Sequence, residues 1–121
     1  TLDSIIRLRY RVSARPDLRS VAGLSAGAKQ AANISNLYGT FGTIGLFSPV
    51  LNHRQLPKDS HVRIWIGAGN GDLFHYNVIL YLKKLQHKHI THTLCPSIGG
   101  HTWINWRYYF TDYVQTIFLK H

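Results

Sequence analysis

A serine flanked by glycines stands at a predicted strand-to-helix turn, in the segment Gly23-Leu24-Ser25-Ala26-Gly27. A G-x-S-x-G pattern in that context is typical of a nucleophile elbow, a sharp turn that lifts the serine hydroxyl above a sheet. The turn strains the backbone, and the glycines remove side chains that would collide there. The N–H of Ala26 would then begin a helix and could point at a developing oxyanion. Because only three positions are fixed, the pattern also arises by chance in loops of small residues.

A serine hydroxyl is a weak nucleophile, so this hypothesis requires a histidine base and a carboxylate behind it. Asp72 and His101 follow Ser25 in the chain order of this kind of site, each directly after a predicted strand. Loops at the carboxyl ends of parallel strands meet at one edge of the sheet, so we expect the three side chains to converge there. A helix N-cap is the plainer role for Asp72, and it is compatible with the first. For His101 the plainer role is a surface loop histidine.

Strands and helices alternate along the chain that would position these residues. Short apolar runs predict strands over 20–24, 43–47, 62–66 and 89–95. Helical spacing predicts helices over 1–12, 26–34, 72–85 and 102–119. Buried strands without strict alternation favour a parallel sheet flanked by helices, and the predicted class is therefore α/β.

The composition is that of a globular domain or part of one. The chain has 121 residues, of which 45% are apolar and 16% charged. No apolar run approaches the roughly 20 residues that cross a bilayer, and no secretory leader pattern opens the sequence, so we expect neither a membrane span nor an intact precursor. Cys95 is the only cysteine, which excludes an internal disulfide and a multi-cysteine zinc site.

Basic residues dominate the charge. There are 14 Lys and Arg against 5 Asp and no Glu, so the net charge is +9 with eight histidines counted as neutral. An excess of this size attracts anionic partners. Basic clusters over 7–11 and 83–89 could contact a nucleic acid, but no recognised nucleic-acid-binding motif accompanies them, and solvated helix faces are the default interpretation. The alternative function is a non-catalytic basic domain that serves as a binding or scaffold module for an anionic partner.

Three further patterns suggest ligands. Trp103 and Leu24 could line a substrate pocket, although Trp103 and Trp106 at helical spacing more often pack a core. The histidines at 87, 89 and 92 suggest a metal, yet a strand would turn His92 away from the other two, so no metal site is predicted. The glycines at 67, 69 and 71 do not have G-x-G-x-x-G spacing, so no dinucleotide is predicted.

Taken together, the segments 19–27, 41–49, 71–72 and 99–107, the last including Gly99-Gly100-His101-Thr102-Trp103, resemble an esterase branch of the α/β-hydrolases. That branch includes the feruloyl and acetylxylan esterases, enterochelin esterase, esterase D (S-formylglutathione hydrolase) and the mycolyltransferase antigens. The resemblance implies that Ser25 is the nucleophile, Asp72 orients the base and His101 is the base and then the acid. It also implies that Ala26 supplies an oxyanion N–H, that no cofactor is needed, and that the substrate is a small-molecule or polysaccharide-linked ester.

Two departures from that pattern matter. Ala28 replaces a glycine that is usual in the branch. More importantly, the branch has several strands before the elbow, including the loop that gives a second oxyanion donor, and a complete domain has roughly 200–250 residues. We therefore expect residues 1–121 to be a single partial domain, the carboxyl-terminal portion of such a hydrolase from the elbow strand through the last helix. The missing amino-terminal half would come from the same protein or from another chain.

Overall fold

The computed structural model describes residues 1–119. Its strands are β1 (Ser20–Leu24), β2 (Thr43–Phe47), β3 (Arg63–Gly69) and β4 (His92–Ser97). Its helices are α1 (Leu2–Arg9), α2 (Ala26–Tyr38), α3 (His75–His87) and α4 (Trp103–Leu119), with 3-10 turns at Pro16–Leu18 and His53–Gln55. Within this part of the chain the strands form one parallel sheet in the order β1-β2-β3-β4. The predicted α/β class is confirmed.

Side-chain alternation along β2 and β3 divides the core between the two faces of the sheet. Ile44, Leu46 and the isoleucines of β3 meet α2 and α3 on one face. On the other face, the buried aromatic residues of α4 and of the sheet form a second cluster of Phe47, Trp65, Tyr109 and Tyr113. The sheet is thereby covered on both faces, as parallel sheets require.

Small residues let the helices approach the sheet closely. Ala28, Ala31 and Ala32 of α2 are buried against it. A Cβ on Gly67 would lie 2.4 Å from Cγ of Tyr109, and one on Gly45 would lie 2.8 Å from Cζ of Tyr113. The glycines of β2 and β3 therefore leave room for the rings of the two tyrosines of α4 to pack against the sheet.

The strand at the β4 edge departs from the prediction. It begins at His92 rather than at residue 89, because His89 has a positive φ of 56° and belongs to the turn after α3. Most of its residues are exposed or half-buried, with Leu94 38% exposed, so the prediction of buried strands is wrong for β4. Within the described part of the chain β4 is an edge strand, and Pro96, which has no N–H to donate, is tolerated there.

The predicted first helix forms but ends at Arg9 rather than at residue 12, because Tyr10 is extended, and it buries none of its residues. Thr1 caps it by accepting a hydrogen bond from the Ser4 N–H. Asp3 forms an ion pair with Arg19, the residue just before β1. Its apolar residues Leu2, Ile5 and Leu8 are at least half exposed. None of the described helices is both long enough and apolar enough to cross a bilayer.

Candidate active site

Ser25 lies at the junction of β1 and α2 in a strained conformation. Its φ and ψ are 53° and −121°, a combination rarely adopted by residues with a side chain. The Ser25 N–H donates to the Phe47 carbonyl at 2.9 Å, which ties the turn to β2. A Cβ on Gly23 would lie 2.1 Å from the Gly27 carbonyl oxygen, so this glycine is needed for the turn.

The second glycine of the motif behaves differently. A Cβ on Gly27 would have no described atom within 4 Å. Our expectation that both glycines relieve a collision is therefore right for Gly23 and wrong for Gly27, because the latter faces open space.

His101 joins Ser25 to Asp72. Its Nε2 lies 3.0 Å from the Ser25 Oγ, and its Nδ1 lies 3.1 Å from Oδ2 of Asp72. An ionised carboxylate only accepts hydrogen bonds, so this pairing assigns the proton to Nδ1 and leaves Nε2 free to accept the serine proton. The structure thus brings together three side chains from the ends of β1, β3 and β4.

Asp72 is held as an ionised acceptor. Burial acts to raise the pKa of its carboxyl, but hydrogen bonds from the Phe74 N–H, the Ser48 hydroxyl and His101 outweigh that effect, and the pKa lies below its usual value. The Phe74 N–H donates to Oδ1 at 2.9 Å, an Asx-type turn two residues along the chain. Asp72 is consequently not the N-cap of α3, which begins at His75 with Phe74 at the cap position.

Ser48 is a site residue that sequence reasoning missed. It follows β2, is fully buried and has a φ of 47°. Its Oγ accepts a 3.0 Å hydrogen bond from Nε1 of Trp106, and its side chain acts to lower the pKa of the Asp72 carboxyl. The available signal was a polar residue at the carboxyl end of a buried strand, the position where functional loops begin.

Aromatic rings border the imidazole of His101. The Trp106 ring meets it edge to face with centroids 5.0 Å apart, and the Phe74 ring lies 5.6 Å away. Trp103 packs edge to face on Trp106, also at 5.0 Å, yet its side chain is 67% exposed. Core packing is therefore a wrong interpretation for Trp103, which stands at the first turn of α4 above the sheet. Leu24 packs half-buried against the aromatic cluster on the α4 face.

The glycines at 69 and 71 support the loop that carries His101. A Cβ on Gly69 would lie 2.1 Å from the Gly99 carbonyl oxygen, and the Gly71 N–H donates to that same oxygen at 3.0 Å. Asn105 fixes the far side of the loop through a 2.8 Å bond from its side-chain amide to the Gly100 carbonyl. The backbone of the Gly99 loop approaches Gly69 and Gly71 closely, and this contact explains why glycines occupy these two positions.

The histidines at 87, 89 and 92 and the basic cluster over 83–89 lie from the carboxyl end of α3 to the start of β4. Across residues 1–119 no three His, Cys, Asp or Glu side chains are grouped so that they could hold a metal ion. His87 ends α3, His89 lies in the turn, and the Nδ1 of His92 is 2.7 Å from the Ile90 carbonyl oxygen. The basic cluster over 83–89 lies on the exposed carboxyl end of α3 and in the following turn.

Comparison with known proteins supports the fold. No protein-family model and no curated protein matches the chain. A ferulic acid esterase structure matches 96% of this chain and 57% of its own, with a TM-score of 0.83 at 17% identity. The S-formylglutathione hydrolase FrmB from Staphylococcus aureus also covers 96% of this chain and 57% of its own, with a TM-score of 0.81 at 13% identity.

A third solved structure, the capsule O-acetyltransferase of Neisseria meningitidis serogroup A, covers 96% of this chain and 61% of its own, with a TM-score of 0.70 at 19% identity. The fold resemblance predicted from the motifs is confirmed, since these neighbours include esterases of the α/β-hydrolase type. The chain spans a little more than half the length of the solved structures it matches.

Proposed function

We propose that this chain carries the nucleophile, acid and base of a serine esterase that hydrolyses carboxylic esters through an acyl-enzyme. The observation that carries the proposal is the continuous hydrogen-bond relay from Ser25 through His101 to Asp72. The strained elbow at Ser25 supports it, because such strain persists where a side chain must be held exposed for function.

The reaction begins with proton transfer from the Ser25 hydroxyl to Nε2 of His101. The Oγ attacks the ester carbonyl carbon, and the resulting oxyanion accepts a hydrogen bond from the Ala26 N–H at the start of α2. The C–O bond to the alcohol then breaks, and the alcohol leaves with the proton from Nε2. Water repeats the sequence on the acyl-enzyme, so a carboxylic acid is released and Ser25 is restored.

Asp72 supports these steps without taking up the proton. Its carboxylate holds the Nδ1–H tautomer of His101 and stabilises the imidazolium formed during each transfer. Its lowered pKa keeps it ionised at neutral pH.

Residues 1–121 form a single partial domain in this proposal. Within the described chain β1 has a partner strand only on its β2 side, where the Ser25 N–H and the alternate residues before it bond, so its other edge presents the unpaired backbone groups of Ala22 and Leu24. A segment from elsewhere in the same protein, or from another chain, would pair with that edge and give the second oxyanion donor. The solved structures of this fold have additional chain outside the matched part, which supports this view.

The substrate in this proposal is a small-molecule or polysaccharide-linked ester. Two matched structures are named for a ferulic acid esterase and a capsule O-acetyltransferase, which favours an acyl group carried on an alcohol. Trp103 and Leu24 are the proposed pocket residues. The exposed indole of Trp103 packs on Trp106, whose ring in turn contacts the imidazole of His101.

A basic groove favours a second candidate function, a non-catalytic module that binds an anionic partner. The groove has a volume of about 450 Å³ and lies between the 3-10 turn after β2 and the end of α3, lined by His53, Leu56, Lys83, Lys84, His87 and Lys88. Binding at such a surface should weaken steeply between 50 and 200 mM salt, whereas hydrolysis of a neutral ester should not.

Ester turnover by the full-length protein tests the main proposal. Ser25→Ala and His101→Ala should each abolish hydrolysis of an activated acetate ester. Ser60→Ala, which changes an exposed serine away from the relay, should retain the parent rate. Parent-level turnover in either of the first two variants would disprove the proposal.

A further inference from the structure

Five large apolar side chains stand exposed at the same edge of the sheet as the Ser25–His101–Asp72 relay. We call them the apolar rim. Each is about two-thirds exposed or more: Leu73 85%, Tyr76 73%, Ile98 89%, Trp103 67% and Ile104 81%. Two of them follow β3 and three follow β4, so all lie at the carboxyl ends of the strands.

The loops that carry the apolar rim meet beside the site. The Gly71 N–H bonds to the Gly99 carbonyl, which joins the loop before Leu73 to the loop after Ile98. On the other side Trp103 packs on Trp106, whose ring contacts His101. The segments that carry the rim residues are therefore joined to the loops of the reacting groups at one edge of the sheet.

An apolar groove adjoins the rim at Ile98. It has a volume of about 330 Å³, and Asn70, His75 and Ser97 are its polar lining residues. Its walls are mostly aliphatic and come from β3, α3 and β4, with Ala68, Val78, Ile79, Leu94 and Pro96 among them. A space of this size and character suits part of an alkyl chain better than a sugar.

Negative charge is kept away from the apolar rim. Among residues 1–119, Asp72 is the one acidic residue at this edge, and it is buried and bonded to His101. Asp3, Asp17 and Asp59 lie in segments before strands, at the opposite edge, and Asp112 of α4 accepts a hydrogen bond from the indole N–H of Trp65 in β3. Arg107, one turn beyond Trp103, is exposed, and the chain carries a net charge of +9.

We propose that the apolar rim docks onto the surface of an anionic lipid bilayer, so that the ester reaches Ser25 from the lipid. Exposed Trp and Tyr beside aliphatic residues suit the boundary between headgroups and acyl chains. The positive charge adds attraction to anionic headgroups. The delivery of ester rests on the proposed function, whereas the docking itself can be measured without turnover.

The chain supplies a matched control surface. Leu2, Leu8 and Leu37 are 75%, 86% and 74% exposed, close to the values in the rim. They lie on α1 and at the end of α2, and α1 is tied to Arg19 just before β1, so they stand at the opposite edge of the sheet. Serine substitutions at these positions remove a comparable apolar area from a different surface.

The experiment is co-sedimentation of the full-length protein with phosphatidylcholine vesicles containing one part in five phosphatidylglycerol. The Leu73→Ser/Ile98→Ser/Ile104→Ser variant should partition onto the vesicles about tenfold more weakly than the parent or worse. The Leu2→Ser/Leu8→Ser/Leu37→Ser variant should remain within about twofold of the parent. Because all substituted side chains are exposed, thermal unfolding should show that both variants fold.

Several outcomes would overturn the docking proposal: a parent that stays in the supernatant, a rim variant that binds as the parent does, or a control variant that weakens equally. The same assay on Ser25→Ala separates docking from catalysis. Vesicle binding by a protein that hydrolyses no ester would support the rim and disprove the esterase. Ester hydrolysis by a protein that does not bind vesicles would support the esterase and disprove the docking of the rim.

Discussion

The indole Nε1 of Trp106 donates a 3.0 Å hydrogen bond to the Ser48 hydroxyl oxygen, and the Ser48 side chain in turn acts to lower the pKa of the Asp72 carboxyl. Helix α4 is thereby connected to the carboxylate of the proposed relay through one buried serine. Ser48 acts on the chemistry through Asp72, as a positioning residue.

We expect Ser48→Ala to impair both stability and turnover. The change leaves the Trp106 N–H without its acceptor in a partly buried place, which costs about 1–3 kcal/mol of unfolding free energy. It also removes a hydrogen bond that lowers the pKa of Asp72. Denaturant unfolding and kcat on a soluble ester would measure the two effects.

The double variant Ser48→Ala/Trp106→Phe is the control. It removes donor and acceptor together, so its loss of stability should be smaller than the sum of the two single losses. Strict additivity would contradict the hydrogen bond as the source of the effect.

The two glycines of the elbow should respond in opposite ways to alanine. Gly23→Ala places a Cβ against the Gly27 carbonyl and should disrupt the turn, lowering the free energy of unfolding by about 3 kcal/mol or more. Gly27→Ala meets no described atom within 4 Å and lies in the first turn of α2, so it should stabilise by about 0.5–1 kcal/mol. Unfolding midpoints of the two variants provide the test, and equal destabilisation would show that Gly27 is also crowded in the complete protein.

The acid stability of the protein should depend on Asp72. Hydrogen bonds hold the folded pKa of this carboxyl below the usual 3.8, so the ionised form stabilises the fold above that pH. The contribution is lost as pH falls through 3.8 toward the lower folded value. The difference in Tm between the parent and Asp72→Asn should be constant near pH 6 and shrink below about pH 4. A difference that does not change with pH would contradict an ionised Asp72.

Asp72→Asn should also slow turnover strongly while leaving the protein folded at neutral pH. The amide can donate to Nδ1 of His101 and select the wrong tautomer, an effect that costs about 10⁴-fold in kcat in sites of this kind. Kinetics under single turnover would separate this loss from a change in product release.

Much of the fold was predictable because local patterns decide it. The apolar run over 43–47 became β2 with the same bounds, and the strand-to-loop positions of Ser25, Asp72 and His101 follow from a parallel sheet presenting its carboxyl ends on one edge. The remaining features depend on contacts between segments far apart in sequence. Ser48 acquires its role from Trp106, which lies 58 residues away.

The exposure of individual side chains was the least predictable property. Trp103 and Trp106 have the same residue type and lie one turn apart, yet only Trp106 reaches the sheet, because α4 begins above its edge. Likewise, the open space beside Gly27 and the exposure of β4 depend on which neighbours are present rather than on the residues themselves.

The most direct test of the proposed function is intact mass spectrometry of the full-length protein before and after treatment with a fluorophosphonate probe. We expect one covalent adduct, which maps to Ser25 and is absent from both Ser25→Ala and His101→Ala, because only a serine activated by its base reacts. A full-length, folded protein that forms no adduct, or one whose adduct persists in Ser25→Ala, would contradict the serine esterase.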